Sequence, residues 1–391
     1  MTKKYIEVAR LVGCEGKFSA QGSSVSLSGD GQTLAVGGPG DNKNYGAVWI
    51  FENCDDEWIE EVKLIPVGLK EGALAGSAVA LSRDGDTLAV GAEGFGGTVM
   101  YSRSEDGEWI QLGYVLVGTD DSGTSQGFCV ALSAEGDLLA VGDPTDNGSQ
   151  GAVWLFIRSD RDWFQIGEKL VVKDSIGVVV NFGLSVSLSD SGDILAIGGP
   201  NDDSSKGATW VLTKEDNGWM PTQKIVDETA TGSFQGFSVS LNGDGNILAV
   251  GGPLGNGAAW VYEIGNDGQW VQVGNKLIPP EQSILNFGRS VSLSRSGKIL
   301  AIGAPGHLNV IPVVPAKKLE ISESAVSVGK TIVFKRENDN YVQYGDVLVG
   351  RKSADNPNQG YSVSLSSSGC TLGIGGPNTP VGGETWIFDK Q

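Results

Sequence analysis

The chain has 391 residues, 59 of them glycine, with 40% hydrophobic residues and a net charge of −19 from 28 basic and 47 acidic side chains. That excess of carboxylates works against nucleic acid and against anionic membrane surfaces, whose affinity comes from Lys and Arg neutralising phosphates; acidity also serves plain solubility. No apolar run approaches a membrane span of about eighteen residues, and the start, Met1 to Val8, lacks the apolar core of a signal peptide.

The first patterned segment, Tyr5-Ile-Glu-Val-Ala-Arg-Leu-Val12, is led by an aromatic and mixes polar with apolar residues, as an outer strand does. Next comes Gly22-Ser-Ser-Val-Ser-Leu-Ser28, which returns at Gly76, Gly127, Gly183, Gly236, Gly288 and Gly360, seven copies in all. The leading glycines are 54, 51, 56, 53, 52 and 72 residues apart. Each copy is followed by a turn and a second strand, as in Asp30-Gly-Gln-Thr-Leu-Ala-Val-Gly-Gly-Pro39, where Asp-Gly between apolar runs marks a hairpin. A third strand such as Gly46-Ala-Val-Trp-Ile-Phe51 is apolar on both faces, so it is enclosed within the structure. A fourth, such as Trp58-Ile-Glu-Glu-Val-Lys-Leu64, is again aromatic-led.

Four strands repeated seven times without helical periodicity predict an all-β, seven-bladed β-propeller, a single domain over residues 1–391 with an insert at 306–328 in blade six. A solenoid would end in atypical caps. Here the ends complement one another: the chain closes on a third strand, Trp386-Ile-Phe388, with no fourth. Tyr5–Val12 is therefore expected to complete that last blade and lock the ring. All ten tryptophans fall on two repeat positions, with Met100 and Ile332 filling the empty third-strand slots and Tyr5 and Tyr341 the fourth-strand ones. A repeated aromatic of this kind packs blade against blade.

These motifs together resemble the FG-GAP repeat of integrin α-subunit propellers, especially the short form found in microbial and algal surface proteins. The Phe-Gly element stands as Phe182-Gly183 and Phe287-Gly288; four copies read Gln-Gly, at Gln21, Gln126, Gln235 and Gln359, and one reads Ala75-Gly76. Gly303-Ala304-Pro305 is intact, four copies read Gly-Gly-Pro, and the others depart to Gly142-Asp143-Pro144 and Gly91-Ala92-Glu93. Kelch repeats, which also pair a Gly-Gly strand end with a following aromatic, are the competing likeness and imply the same architecture. The FG-GAP resemblance implies a protein–protein interaction module in a surface or extracellular assembly. It also implies a calcium loop between first and second strands. Here that loop has shrunk to Ser28-Gly29-Asp30-Gly31 or Ser189-Asp190-Ser191-Gly192. One carboxylate per turn is too few for calcium, and no cofactor or metal is expected. The cysteines, Cys14, Cys54, Cys129 and Cys370, form no metal spacing and are not placed to pair, a weak vote against the extracellular setting that the resemblance favours, with the cytoplasm as the alternative.

Propellers bind mainly on the face carrying the loops between strands two and three and between blades. Those loops supply Asp41, Asp146, Asp202 and Asp203, and then Asp120, Asp121 and Asp355. They predict an acidic rim facing a basic partner or a cation, against the plain alternative that Asp and Asn make good turns. The insert brings His307, the sole histidine, with Val310, Ile311, Lys317 and Lys318 as further interaction candidates. With one histidine and no motif-supported nucleophile, catalysis is not expected. The sevenfold serines read as small packing residues at the axis. Three functions remain open at this point: a protein-binding scaffold, a lectin with glycan pockets between blades, and a hydrolase using loop carboxylates.

Overall fold

A computed structural model describes residues 4–14, 18–227, 229, 232–255, 257–306, 329–351, 358–378 and 382–391. Seven antiparallel sheets of four strands each run outward from a common axis. The inner strands are Ser24–Leu27, Ala75–Leu81, Cys129–Leu132, Ser185–Leu188, Ser238–Leu241, Ser290–Leu293 and Ser362–Leu365. Each touches the inner strand of the next blade, and the seventh touches the first. The expected closure is present: Tyr5–Leu11 pairs with Glu384–Lys390, Tyr5 opposite Lys390 and Leu11 opposite Thr385, with a bulge between Glu7 and Ala9. No sheet is left lacking its outer strand.

The core lies between blades. Second strands such as Leu138–Asp143 are buried along their whole length, and Trp49, Trp154, Trp210, Trp260 and Trp386 of the third strands are at most 1% exposed. One sequence expectation is corrected. Trp49 lies opposite Val36, and the matching pair in blade two is Val99 opposite Val90. The tryptophan slot of that blade therefore holds Val99, not Met100, which sits one residue on and, by the alternation of strand side chains, faces the other way.

The Ser-Val-Ser-Leu-Ser run is explained by hydrogen bonding more than by size, because its three hydroxyls have three different tasks. The first donates to the carbonyl of the next blade's leading glycine, as Ser24 Oγ does to Gly76 at 2.9 Å and Ser290 Oγ to Gly360 at 3.0 Å. The second accepts from the next blade's inner leucine, as Ser26 Oγ does from Leu81 N at 2.9 Å and Ser292 Oγ from Leu365 N at 3.0 Å. The third accepts from its own hairpin, as Ser28 Oγ does from Thr33 N at 3.0 Å. Blade two carries Ala78 and Ala80 at the first two positions and blade three Cys129 and Ala131. Only the Cys129 thiol replaces such a bond, donating to the Gly183 carbonyl at 3.0 Å. The leading glycines all adopt φ of 84–90°, a region open to glycine and strained for other residues. Their repetition is a backbone requirement.

Candidate functional site

The loops and turns divide the ring into two faces, and the axis opens on each. On the hairpin-turn face, one residue per blade follows the Ser-Leu-Ser end: Gly29, Arg83, Ala134, Asp190, Gly243, Arg295 and Ser367. Each donates its backbone N–H to the carbonyl of the next residue in that series, and Ser367 donates back to Gly29, at 2.7–3.1 Å. Seven hydrogen bonds thus form a closed circle around the axis. Asp190 accepts from Arg295 Nε at 2.7 Å and pairs with Arg83, so the side chains of blades two, four and six strap the opening. Glycines 29 and 243 leave room for the arginine stems, since a Cβ there would lie 2.4 and 2.5 Å from Arg83 Cγ and Arg295 Cγ. Behind the strap lies a cavity of about 160 Å3 lined by the strand-end leucines from Leu27 to Leu365. The carboxylate of the shortened calcium-type loop is used by its own turn: Asp30 accepts from Ser28 Oγ at 2.6 Å and from Gln32 N at 3.0 Å.

On the loop-bearing face, the residue after each leading glycine borders the axis: Ser23, Ser77, Phe128, Leu184, Phe237, Arg289 and Tyr361. Here the sevenfold pattern is broken. Blades one and two present serines, while blades three to seven present bulk. The Arg289 guanidinium carbon lies 4.6 Å from the ring centre of Phe237 in blade five and 4.2 Å from that of Tyr361 in blade seven, both within cation–π range. Among the described residues Arg289 has no carboxylate partner. At the far side, the two departures from Gly-Gly-Pro, Glu93 and Asp143, come close together. Asp143 is fully buried and accepts from Ser125 N at 3.1 Å and from Thr145 N and Oγ1 at 2.7 and 2.6 Å. Burial, reinforced by the neighbouring Asp143 charge, pushes the Glu93 carboxyl up to about 7.

The acidic rim expected from sequence is only partly a surface. Asp41, Asp146 and Asp202 are at most 3% exposed and face inward. They pair with Lys63 and Lys224 of the outer strands and with Lys169, just past the end of one, at 2.9, 2.8 and 2.7 Å. Each of those lysines lies 5.0–5.6 Å from the ring centre of Trp49, Trp154 or Trp210. These three aspartates are corrected from rim residues to members of Asp–Lys–Trp stacks. Burial alone would raise the Asp146 carboxyl, but Lys169 and two hydrogen bonds from Ser122 outweigh it and hold it below its ordinary value. In blade five Lys276 again lies over Trp260, but its carboxylate partner is Asp227 of the loop that enters the blade, at 3.7 Å, and blade seven substitutes Glu384 and Arg10 beside Trp386. In blades two and six, where Val99 and Ile332 replace tryptophan, Val115 and Val347 pack in place of the cation. The members of the stack change together.

Asp120 remains exposed, Asp203 is partly exposed beside Lys206 at 2.9 Å, and Asp121 accepts from Gly123 N at 2.9 Å with its carboxyl raised chiefly by burial. His307, Val310, Ile311, Lys317, Lys318 and Asp355 lie outside the described residues. The Gln-Gly departures from Phe-Gly also find a physical reason. Gln21, Gln126, Gln235 and Gln359 accept from the N–H of Gly13, Gly118, Asp227 and Gly350 at 2.7–2.8 Å. Where Phe287 or Ala75 replaces glutamine, the corresponding loop residue is Pro279 or Pro66, which has no N–H to satisfy; Phe182 departs from this, since its loop residue is Val172.

Solved structures share this arrangement. The beta-propeller domain of Cps50 (Swd1) from Myceliophteria thermophila superposes with a TM-score of 0.62 over 99% of both chains at 13% identity. A protein from Bacteroides uniformis described as a "putative 6-phosphogluconolactonase" follows with a TM-score of 0.59, 13% identity, and 84% of this chain matched to 85% of that one. The chain is a seven-bladed β-propeller. No family model matches the sequence, and no curated protein matches it. At such identities the likeness carries the propeller fold and leaves the chemistry to the residues.

Composition and motif do not by themselves single out Phe128, Leu184, Phe237, Arg289 and Tyr361. A signal was there: one position varies from serine to arginine inside a motif otherwise nearly invariant across seven copies.

Proposed function

We propose that this propeller is a non-catalytic interaction scaffold that engages a protein partner on its loop-bearing face. The observation that carries the reading is the contrast between the two mouths of the axis. The hairpin-turn mouth is encircled by a ring of backbone hydrogen bonds common to all blades and crossed by the Arg83–Asp190–Arg295 pairs, while the loop-side mouth carries bulky side chains in blades three to seven, with Arg289 unpaired to any carboxylate among the described residues. The inner-strand hydroxyls support the non-catalytic part, since those of Ser24, Ser26 and Ser28 and their counterparts are engaged in blade-to-blade and turn hydrogen bonds. The FG-GAP kinship, with a surface or extracellular assembly as the setting, belongs to the same proposal. It is supported by the fixed glycine backbone.

The test is partner capture from the source organism with the immobilised full chain, followed by cross-link mapping. A variant reversing or charging the loop-bearing face (Asp120→Lys, Val178→Lys, Asp203→Lys) is expected to lose capture at least tenfold. A matched variant on the opposite face (Asp84→Lys, Glu135→Lys) is expected to retain it, with cross-links falling in the inter-blade loops. Capture that survives the first variant and fails with the second overturns the assignment of the face. Turnover of a hydrolase substrate by the wild type overturns the non-catalytic reading.

A further inference from the structure

We infer that Arg289 is the anchor of a carboxylate site in the loop-side axial mouth, which receives one acidic side chain from a polypeptide segment of the partner. The inference rests on the scaffold reading above and specifies the chemistry of its contact. Arg289 occupies a position held by serine in blades one and two, so the repeat does not require a large cation there. Its guanidinium carbon is 4.6 Å from the Phe237 ring centre and 4.2 Å from that of Tyr361, rings that come from the blades on either side. A guanidinium covered on its faces keeps its N–H donors at the edge, in the plane that a carboxylate meets with two parallel hydrogen bonds. The flanking rings also displace water, which strengthens a charge-assisted bond made at that edge. Phe237 is 4% exposed and Leu184 5%, which gives the mouth an apolar floor beside the charge.

Charge complementarity defines the remainder of the occupant. The loop-bearing face outside the mouth offers the exposed Asp120, with Asp203 balanced by Lys206, on a chain of net charge −19. A run of acidic residues would be repelled by that surroundings, whereas a single carboxylate flanked by basic residues suits both the mouth and its rim. The segment is thus one Asp or Glu within a basic or apolar context. Its side chain, not a chain terminus, supplies the carboxylate, because a segment crossing the mouth reaches the rim on both sides.

The experiment pans a library of random twelve-residue, C-terminally amidated peptides on the immobilised full chain, then measures the recovered peptides by fluorescence anisotropy. The expected result is enrichment of a single Asp or Glu with neighbouring Lys or Arg. Arg289→Ala and Arg289→Gln are expected to weaken binding at least tenfold, and Arg289→Lys by an intermediate factor, since a lysine keeps the charge and loses the fork. Thermal unfolding of the three variants, expected to be close to wild type, separates this loss from misfolding. Replacing the peptide's acidic residue by Gln or Asn is expected to weaken binding to the same extent. Peptides that bind the loop-bearing face without an acidic residue, or that Arg289→Ala leaves within twofold, overturn the carboxylate site and leave the scaffold standing. Recovery only of peptides with a free C-terminal carboxylate, from a second non-amidated library, overturns it as well. If no peptide binds and partner capture in the preceding experiment also fails, the scaffold reading falls with it.

Discussion

The two ends of the axis are built from the same seven strands, and they differ in what the repeat controls. At the hairpin-turn end, backbone groups do the bonding, so Gly, Ala, Ser, Asp and Arg all serve at one position, and the circle from Gly29 to Ser367 closes regardless. At the loop end, side chains of neighbouring blades meet along the rim, and identity matters: Arg289 between Phe237 and Tyr361 has no counterpart elsewhere in the ring. Symmetry in the backbone rings one mouth. Asymmetry in side chains shapes the other.

The strongest way to break this contrast is to damage the frame that both ends share. A Cβ on Gly198 would lie 1.8 Å from the carbonyl oxygen of Gly236 in the next blade, and backbone cannot step aside. Gly198→Ala is therefore expected to lose about 3 kcal/mol or more of stability, read as a lowered urea midpoint, and to impair both ends together. A smaller loss, below about 1 kcal/mol, would show that blades slide past one another more freely than the seam implies.

A second change sharpens the electrostatics of the open end. Glu93 titrates at about 7 in the folded chain against an ordinary 4.5, so the folded state binds its proton more tightly than the unfolded chain does. Its contribution is fully present below pH 4.5 and is lost as pH rises through about 7. Glu93→Gln is expected to raise stability at pH 8 by up to about 2 kcal/mol, allowing for the partial exposure of the carboxyl, and to flatten the profile between those pH values. Parallel profiles for the two proteins would remove the buried carboxylate from the picture.

At the hairpin-turn end, Asp190→Asn removes the charge shared by Arg83 and Arg295 while leaving the backbone circle intact. Because these side chains are 28–51% exposed, about 1 kcal/mol is expected, diminishing in high salt. A much larger loss would mean that the strap, and not the circle, holds the mouth. The smallest effect belongs to Arg289→Ala, whose two ring contacts are worth about 1 kcal/mol or less together at a partly exposed site. Calorimetry that finds this variant severely destabilised would make Arg289 part of the frame.

Much of the architecture was legible because it is local and repeated. The seven leading glycines, the hairpin turns and the complementary ends specify strands, count and closure without reference to distant contacts, and Tyr5–Leu11 pairs as its alignment with the first outer strand requires. The slip between Met100 and Val99 marks the limit of alignment by hydrophobic character, since only strand pairing distinguishes adjacent apolar residues. Asp41, Asp146 and Asp202 show another limit. A turn-forming aspartate looks the same in sequence whether it faces solvent or a buried lysine some twenty residues on, and the ion pairs with Lys63, Lys169 and Lys224 exist only once the outer strand returns over the tryptophan.

What the sequence determined by itself, then, is everything set by one repeat and its nearest neighbour: four strands, tight turns, a tryptophan-filled seam and a closing strand. What only the tertiary structure decided is the outcome of convergence. Residues more than fifty positions apart in the chain, Phe237, Arg289 and Tyr361, become neighbours because curvature brings successive inner strands to one axis. The same curvature turns seven unconnected N–H groups into a closed circle. Hydrogen-bond and ring contacts of that kind depend on distance in space, and spacing along a single chain does not encode it.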